Sequence, residues 1–116
     1  MPGKGIKTVN LKLNMPTADQ AIKRLTFEIA DGKKLGYDAL KLIHGYGSSG
    51  TGGKIRVEAR RYLDRQQALR RIKLYVPGES FSIFEESSRK LLGVCQELRS
   101  DPDLERHNNG VTFVVL

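Results

Sequence analysis

The stretch His44-Gly45-Tyr46-Gly47-Ser48-Ser49-Gly50-Thr51-Gly52-Gly53 decides how this chain of 116 residues is read. Before it, Ala39-Leu40-Lys41-Leu42-Ile43 reads as a buried strand. After it, the segment from Lys54 to Leu63 reads as a helix with Ile55, Ala59, Tyr62 and Leu63 on a core face and Lys54, Arg61 and Arg65 on the other side. A strand, a loop with five glycines and a helix N-terminus form an anion seat. Glycine lets backbone N–H groups approach an oxyanion, and the first helical turn adds unpaired donors and partial positive charge.

The neighbouring charge says what kind of anion. From Lys54 to Lys73 there are eight basic residues (Lys54, Arg56, Arg60, Arg61, Arg65, Arg70, Arg71, Lys73) against Glu58 and Asp64, which is +6 of the formal net +7. With a pI near 9.8, this concentration points to a polyanion. Arg56 and Arg60, four apart, are expected to flank one exposed surface near the loop.

Working outward, residues 1–7 read as a flexible basic tail and residues 8–116 as one domain. Val9, Leu11 and Leu13 alternate with polar residues as a half-buried strand. Thr17 and Gln20 fit a capping box at the start of a helix whose stripe of Ala18, Ala21, Ile22, Leu25 and Ile29 ends at Asp31-Gly32. The order β-α-β-α predicts a parallel strand pair with a right-handed crossover. A third strand is expected over Arg71 to Val76, stopped by Pro77-Gly78, and a third helix from about Glu85 to Leu98. Asp101 to Asn109 reads as a polar connection, with Asn109-Gly110 turning into a terminal strand, Val111 to Leu116.

Several chemistries are excluded or weakened. Gly45-x-Gly47-x-x-Gly50 has dinucleotide-fingerprint spacing but follows the second strand, and too little chain remains for two mononucleotide halves. A P-loop would need glycine at Ser48 and Ser or Thr at Ile55. No cofactor is expected, and no metal site, since Cys95 is the single cysteine and no Cys/His cluster has zinc spacing. Cys95 reads as a small core residue. No apolar run is long enough to span a bilayer and no signal pattern opens the chain, so a cytoplasmic location without membrane contact is expected.

His107 lies in a polar loop, where solvation is the default. Two readings of His44 stand side by side: it hydrogen-bonds a phosphate or moves a proton at neutral pH, or its imidazole orders the loop through backbone groups. Ser48 and Ser49 lie near His44 in sequence, but no acid can be assigned to orient the ring.

Leu42-Ile43-His44-Gly45-Tyr46-Gly47 followed by Gly52-Gly53-Lys54-Ile55-Arg56 resembles the core motif of Smr (small MutS-related) domains. Pro16-Thr17 with the helix carrying Ala21, and the ending Asn109 to Leu116, resemble the family's flanks, so the similarity spans about residues 8–116. The resemblance implies an α/β fold: a two-layer βαβα sandwich with a mixed sheet, similar to the C-terminal domain of a bacterial translation initiation factor. A helix added before the last strand extends it, since Pro77 to His107 is longer than in minimal members. It also implies binding, and sometimes nicking, of DNA or RNA. One element is missing. Where Smr nucleases carry Asp-x-His-Gly at the end of the first strand, this chain offers Lys12, Asn14 and Met15, or in a second register Asn10, Lys12 and Leu13.

The function expected from sequence is therefore a nucleic-acid-binding module. Its contact residues would be Lys12, His44, Gly45, Tyr46, Gly47, Ser48, Gly50, Gly52, Gly53, Lys54, Arg56, Arg60 and Arg61, with Tyr46 placed to stack on an exposed base. A divergent endonuclease using His44, with Lys12 or Arg56 steadying the phosphorane, is the enzymatic alternative. A basic module that docks an acidic partner or the ribosome is the other.

Overall fold

The computed structural model describes residues 3–45 and 52–116. Four strands, β1 (Ile6–Asn10), β2 (Ala39–Ile43), β3 (Leu74–Pro77) and β4 (Val111–Val115), form one mixed sheet in the order β1-β2-β4-β3. β1 and β2 run parallel, with Val9 opposite Leu42, and β4 is antiparallel to both β2 and β3. Helices α1 (Ala18–Leu35), α2 (Gly52–Ala68) and α3 (Glu86–Val94) complete the order, with 3-10 turns at Gly78–Ser80 and Gln96–Ser100.

Side-chain alternation along the strands sends two sets of residues to two cores. Val9, Leu40, Leu42 and Val114 meet α1 and α2 through Ala21, Leu25, Ile29, Ile55, Ala59 and Leu63. This is the βαβα sandwich expected from sequence. On the opposite face Val76, Val111, Phe113 and Val115 meet the added helix through Leu91, Leu92, Cys95 and Leu98. Phe81 packs there against Phe113 with ring centroids 4.3 Å apart. Because both faces are covered, all five residues of β4 are buried, which explains its continuous apolar run.

Local signals set most boundaries. Thr17 Oγ1 accepts from Gln20 N at 3.2 Å and Gln20 Oε1 accepts from Thr17 N at 2.9 Å, the expected capping box. The end of α1 differs: the helix continues through Asp31-Gly32 to Leu35 and is capped at Gly36. Gly32 is a packing residue, since a Cβ there would lie 2.8 Å from a Leu116 methyl, so it lets the helix approach the sheet.

β1 also differs from the sequence reading. It begins at Ile6, inside the segment read as tail, because Ile6 and Lys7 pair with Ala39 and Leu40. It stops at Asn10, whose side-chain oxygen takes the Lys12 N–H at 3.1 Å and turns the chain out of the ladder. Leu11 is still buried, whereas Leu13 is exposed. β3 starts at Leu74 rather than Arg71, since Arg70 adopts a left-handed φ of 60° that turns the chain before the strand. The third helix breaks at Cys95, which leaves helical geometry at φ −131°, so only Glu86–Val94 is α-helical. Burial pushes the Cys95 thiol up to about 12, leaving it a protonated core group.

Candidate nucleic-acid interface

Parallel pairing places the C-terminal ends of β1 and β2 side by side, and α1 and α2 both start from that edge. β3 also ends there and β4 begins there, because β4 is antiparallel to its two neighbours. Three of the expected contact positions and one glycine of the seat lie outside the described residues: Tyr46, Ser48 and Gly50, with Gly47. Around that stretch the remaining candidates occupy two different environments.

The inward environment is a polar network. His44 continues the β2 alternation toward the α1/α2 face and is fully buried. Its Nδ1 lies 2.7 Å from the Gly45 carbonyl oxygen and its Nε2 2.8 Å from Thr112 Oγ1. A carbonyl only accepts, so Nδ1 carries the proton and Nε2 accepts from the Thr112 hydroxyl. That hydroxyl in turn accepts from Arg60 Nε at 3.2 Å. The Arg60 guanidinium closes the chain on Glu79 with two bonds, at 2.6 and 2.7 Å, a paired fork that fixes its plane.

Every donor and acceptor in this chain has a consistent direction only with a neutral imidazole. Burial foremost lowers the His44 pKa to about 4, and the positive charges of Arg60 and Arg56 add to it against the opposing Gly45 hydrogen bond. For Glu79 burial works the other way, yet the Arg60 hydrogen bonds prevail and hold its carboxyl below the usual range. Of the two readings of His44, the geometry displays the ordering one: both ring nitrogens are occupied and neither reaches solvent. No acid orients the ring. A threonine does, 68 residues away in sequence.

The loop start is fixed from a second side. His44 N and Gly45 N both donate to the Gly110 carbonyl at 3.0 Å, and Gly45 takes a φ of 75°, a left-handed conformation suited to glycine. Gly110 is itself held by Asn108, whose Oδ1 accepts from Gly110 N at 2.9 Å and whose Nδ2 donates to Asp103 at 2.9 Å. Asp103 and Asp101 pair with Lys41 at 2.7 and 2.9 Å, in the middle of β2 on the α3 face. Burial alone would lower the Lys41 pKa, but bonding to Asp103 and Asp101 outweighs it and raises it. Sequence reasoning missed this cluster, although a lysine inside an otherwise apolar strand was its signal.

The outward environment is the solvent face of α2. Lys54, Arg61 and Arg65 are exposed, as their helical spacing requires, while Ile55, Ala59 and Leu63 are buried opposite and Tyr62 is partly so. Arg61 makes one surface pair, to Glu58 at 3.3 Å, and among the described residues Lys54 and Arg65 form no ion pair. Arg56 is half-buried, and Lys12 is exposed beyond β1. Arg60 is the correction. It was expected beside Arg56 on an exposed surface, but the fork to Glu79 draws it inward. Gly53 and Lys54, with Ala18, Asp19, Val57 and Glu58, line an open groove of about 660 Å³ where the first turns of α1 and α2 meet. His107 is exposed and its Nδ1 lies 3.1 Å from the Glu79 carbonyl oxygen.

A mixed sheet with two helices on one face and the strand ends gathered at a glycine-rich loop defines the class of α/β sandwich. Within that class, the fold is Smr-like: the chain superimposes on the crystal structure of the Smr domain of Thermus thermophilus MutS2 with a TM-score of 0.58 and 22% identity. That match covers 95% of this chain and 96% of the Thermus domain. No protein-family model and no curated protein sequence matches the chain. Among the described residues no helix is long and apolar enough to cross a membrane.

Proposed function

We propose that the protein binds nucleic acid through the sugar–phosphate backbone, using the outer face of α2 and the adjoining glycine-rich loop. The observation that carries this reading is the stripe of Lys54, Arg61 and Arg65, turned to solvent on the helix that follows the loop. Long cations held on one side of a helix match a line of phosphates without reading base sequence. Gly45, Gly47, Gly50, Gly52 and Gly53 supply backbone access beside them, with Tyr46 and Ser48 at the loop and Lys12 and Arg56 at its flanks. The fold's likeness to an Smr domain agrees with this reading. Nothing in it requires a cofactor, a membrane or a metal.

The endonuclease alternative rested on an accessible His44, and the buried neutral ring removes that support. The ribosome- or protein-docking alternative shares the same basic face and is separated by experiment. Labelled single- and double-stranded DNA and RNA, titrated with protein over a salt series with and without divalent metal, test all three. Affinity that falls steeply with salt, without cleavage, supports the proposal. Failure to bind any of the four, or binding indifferent to salt, contradicts it.

A further inference from the structure

Beyond β3 the chain makes a corner whose backbone is pinned amide by amide. Phe81 N donates to Gly78 O at 3.2 Å, Ser82 N to Ser88 Oγ at 3.2 Å, and Ile83 N to Glu105 Oε2 at 2.9 Å. Phe84 N donates to Ser82 Oγ at 3.1 Å and Glu85 N to Ser82 O at 3.0 Å. The Arg89 guanidinium holds the Ile83 carbonyl at 2.8 Å. From this fixed corner Ile83 is 50% exposed and Phe84 83% exposed, the most exposed of the large apolar side chains described. Phe81, three residues earlier, fills the core in full, so the corner buries one ring and displays another. An apolar side chain on a rigid mount loses little freedom when a partner covers it.

Charge indicates which partner. The segment from Pro77 to His107 carries seven acidic against four basic residues, the reverse of the balance between Lys54 and Lys73. It covers the sheet face opposite α1 and α2. Glu85, Glu86 and Glu105 are exposed near the displayed ring. A polyanion is disfavoured there, and a cationic surface is drawn in. A second copy offering its basic α2 would join head to tail and leave both surfaces open to further copies, an assembly that does not close.

We propose that the Ile83–Phe84 corner is a docking knob for a protein partner that presents an apolar face edged with lysine or arginine. This surface is separate from the one that α2 offers to phosphate. The test uses isotope-labelled full-length protein and an amphipathic helical peptide of leucine and lysine, followed by amide NMR. Two control peptides replace leucine by serine or lysine by glutamate. The leucine–lysine peptide is expected to shift Ile83, Phe84, Glu85 and Glu86, and both controls to lose that effect. Phe84→Ala should weaken its binding about tenfold or more, as truncating an anchoring aromatic does, with the thermal midpoint unchanged because the ring is exposed. Shifts confined to other surfaces, or equal affinity of Phe84→Ala, would overturn the proposal. So would concentration-dependent self-association lost in Phe84→Ala, which would assign the knob to a second copy. Weakened binding of a single-stranded oligonucleotide by that variant would assign it to base stacking, and likewise overturn it.

Discussion

Arg60 and Arg61 are adjacent in the chain and opposite in circumstance. Arg60 turns inward, 19% exposed, with its fork filled by Glu79 and its Nε given to Thr112; Arg61 turns outward, 63% exposed, held by one surface contact to Glu58. One residue of helix rotation, about 100°, separates a structural cation from one available to a ligand. A basic helix is therefore not a uniformly basic surface. What decides is the side chain's pairing, which depends on elements far along the sequence, here the turn after β3 and the middle of β4.

The largest expected effect concerns the buried end of this network. In the unfolded chain the imidazole of His44 takes a proton near its ordinary value of about 6.5, but in the fold only near 4. Between those values the unfolded state holds the extra proton, so stability falls as pH falls through that window and is level above it. The full loss is up to about 3 kcal/mol. Urea unfolding at pH 7 and pH 4.5, with the His44 C2 proton followed by NMR, checks both the sign and the midpoint. A ring that titrates near 6.5 would place it in solvent and break the contrast with α2.

Thr112→Val comes next. It keeps the shape of a fully buried side chain but leaves His44 Nε2 without its donor and Arg60 Nε without its acceptor. A loss of about 1–3 kcal/mol in chemical denaturation is expected, the cost of stranding buried polar groups. An unchanged midpoint would show that the relay contributes nothing to the fold. By contrast, Arg61→Ala and Arg65→Ala should stay within about 0.5 kcal/mol of the parent, as exposed surface positions do. A larger loss in either would mean that the outward stripe has a structural partner.

How much of this could be read from sequence follows the range of the interactions involved. The capping box at Thr17, the span of β2 and the buried face of α2 depend on residues within about two turns of one another, and periodicity reports them. The end of α1 was misread because glycine signals both a cap and a close approach, and Gly32 serves the second against Leu116. The break at Cys95 leaves no local mark in a stretch whose apolar spacing stays helical. At the site, exposure of Lys54, Arg61 and Arg65 followed from helix rotation alone. The fates of His44 and Arg60 did not, because Thr112 lies 68 and 52 residues from them and Glu79 is 19 from Arg60. A histidine beside a glycine loop reads as a ligand until the strand that covers it is known.

The contrast between the two arginines is tested most directly by the salt dependence of oligonucleotide binding for Arg61→Glu and Arg60→Gln beside the parent protein. Each phosphate contact contributes roughly −0.7 to −0.9 to the slope of log K against log salt. Arg61→Glu should weaken binding at low salt and flatten the slope by about one such contact, with the fold intact. Arg60→Gln should lower the unfolding midpoint and, at temperatures where it remains folded, keep the parent slope. A flattened slope for Arg60→Gln with the parent slope for Arg61→Glu would contradict the account, placing the ligand on the inward network instead of the outer face of α2.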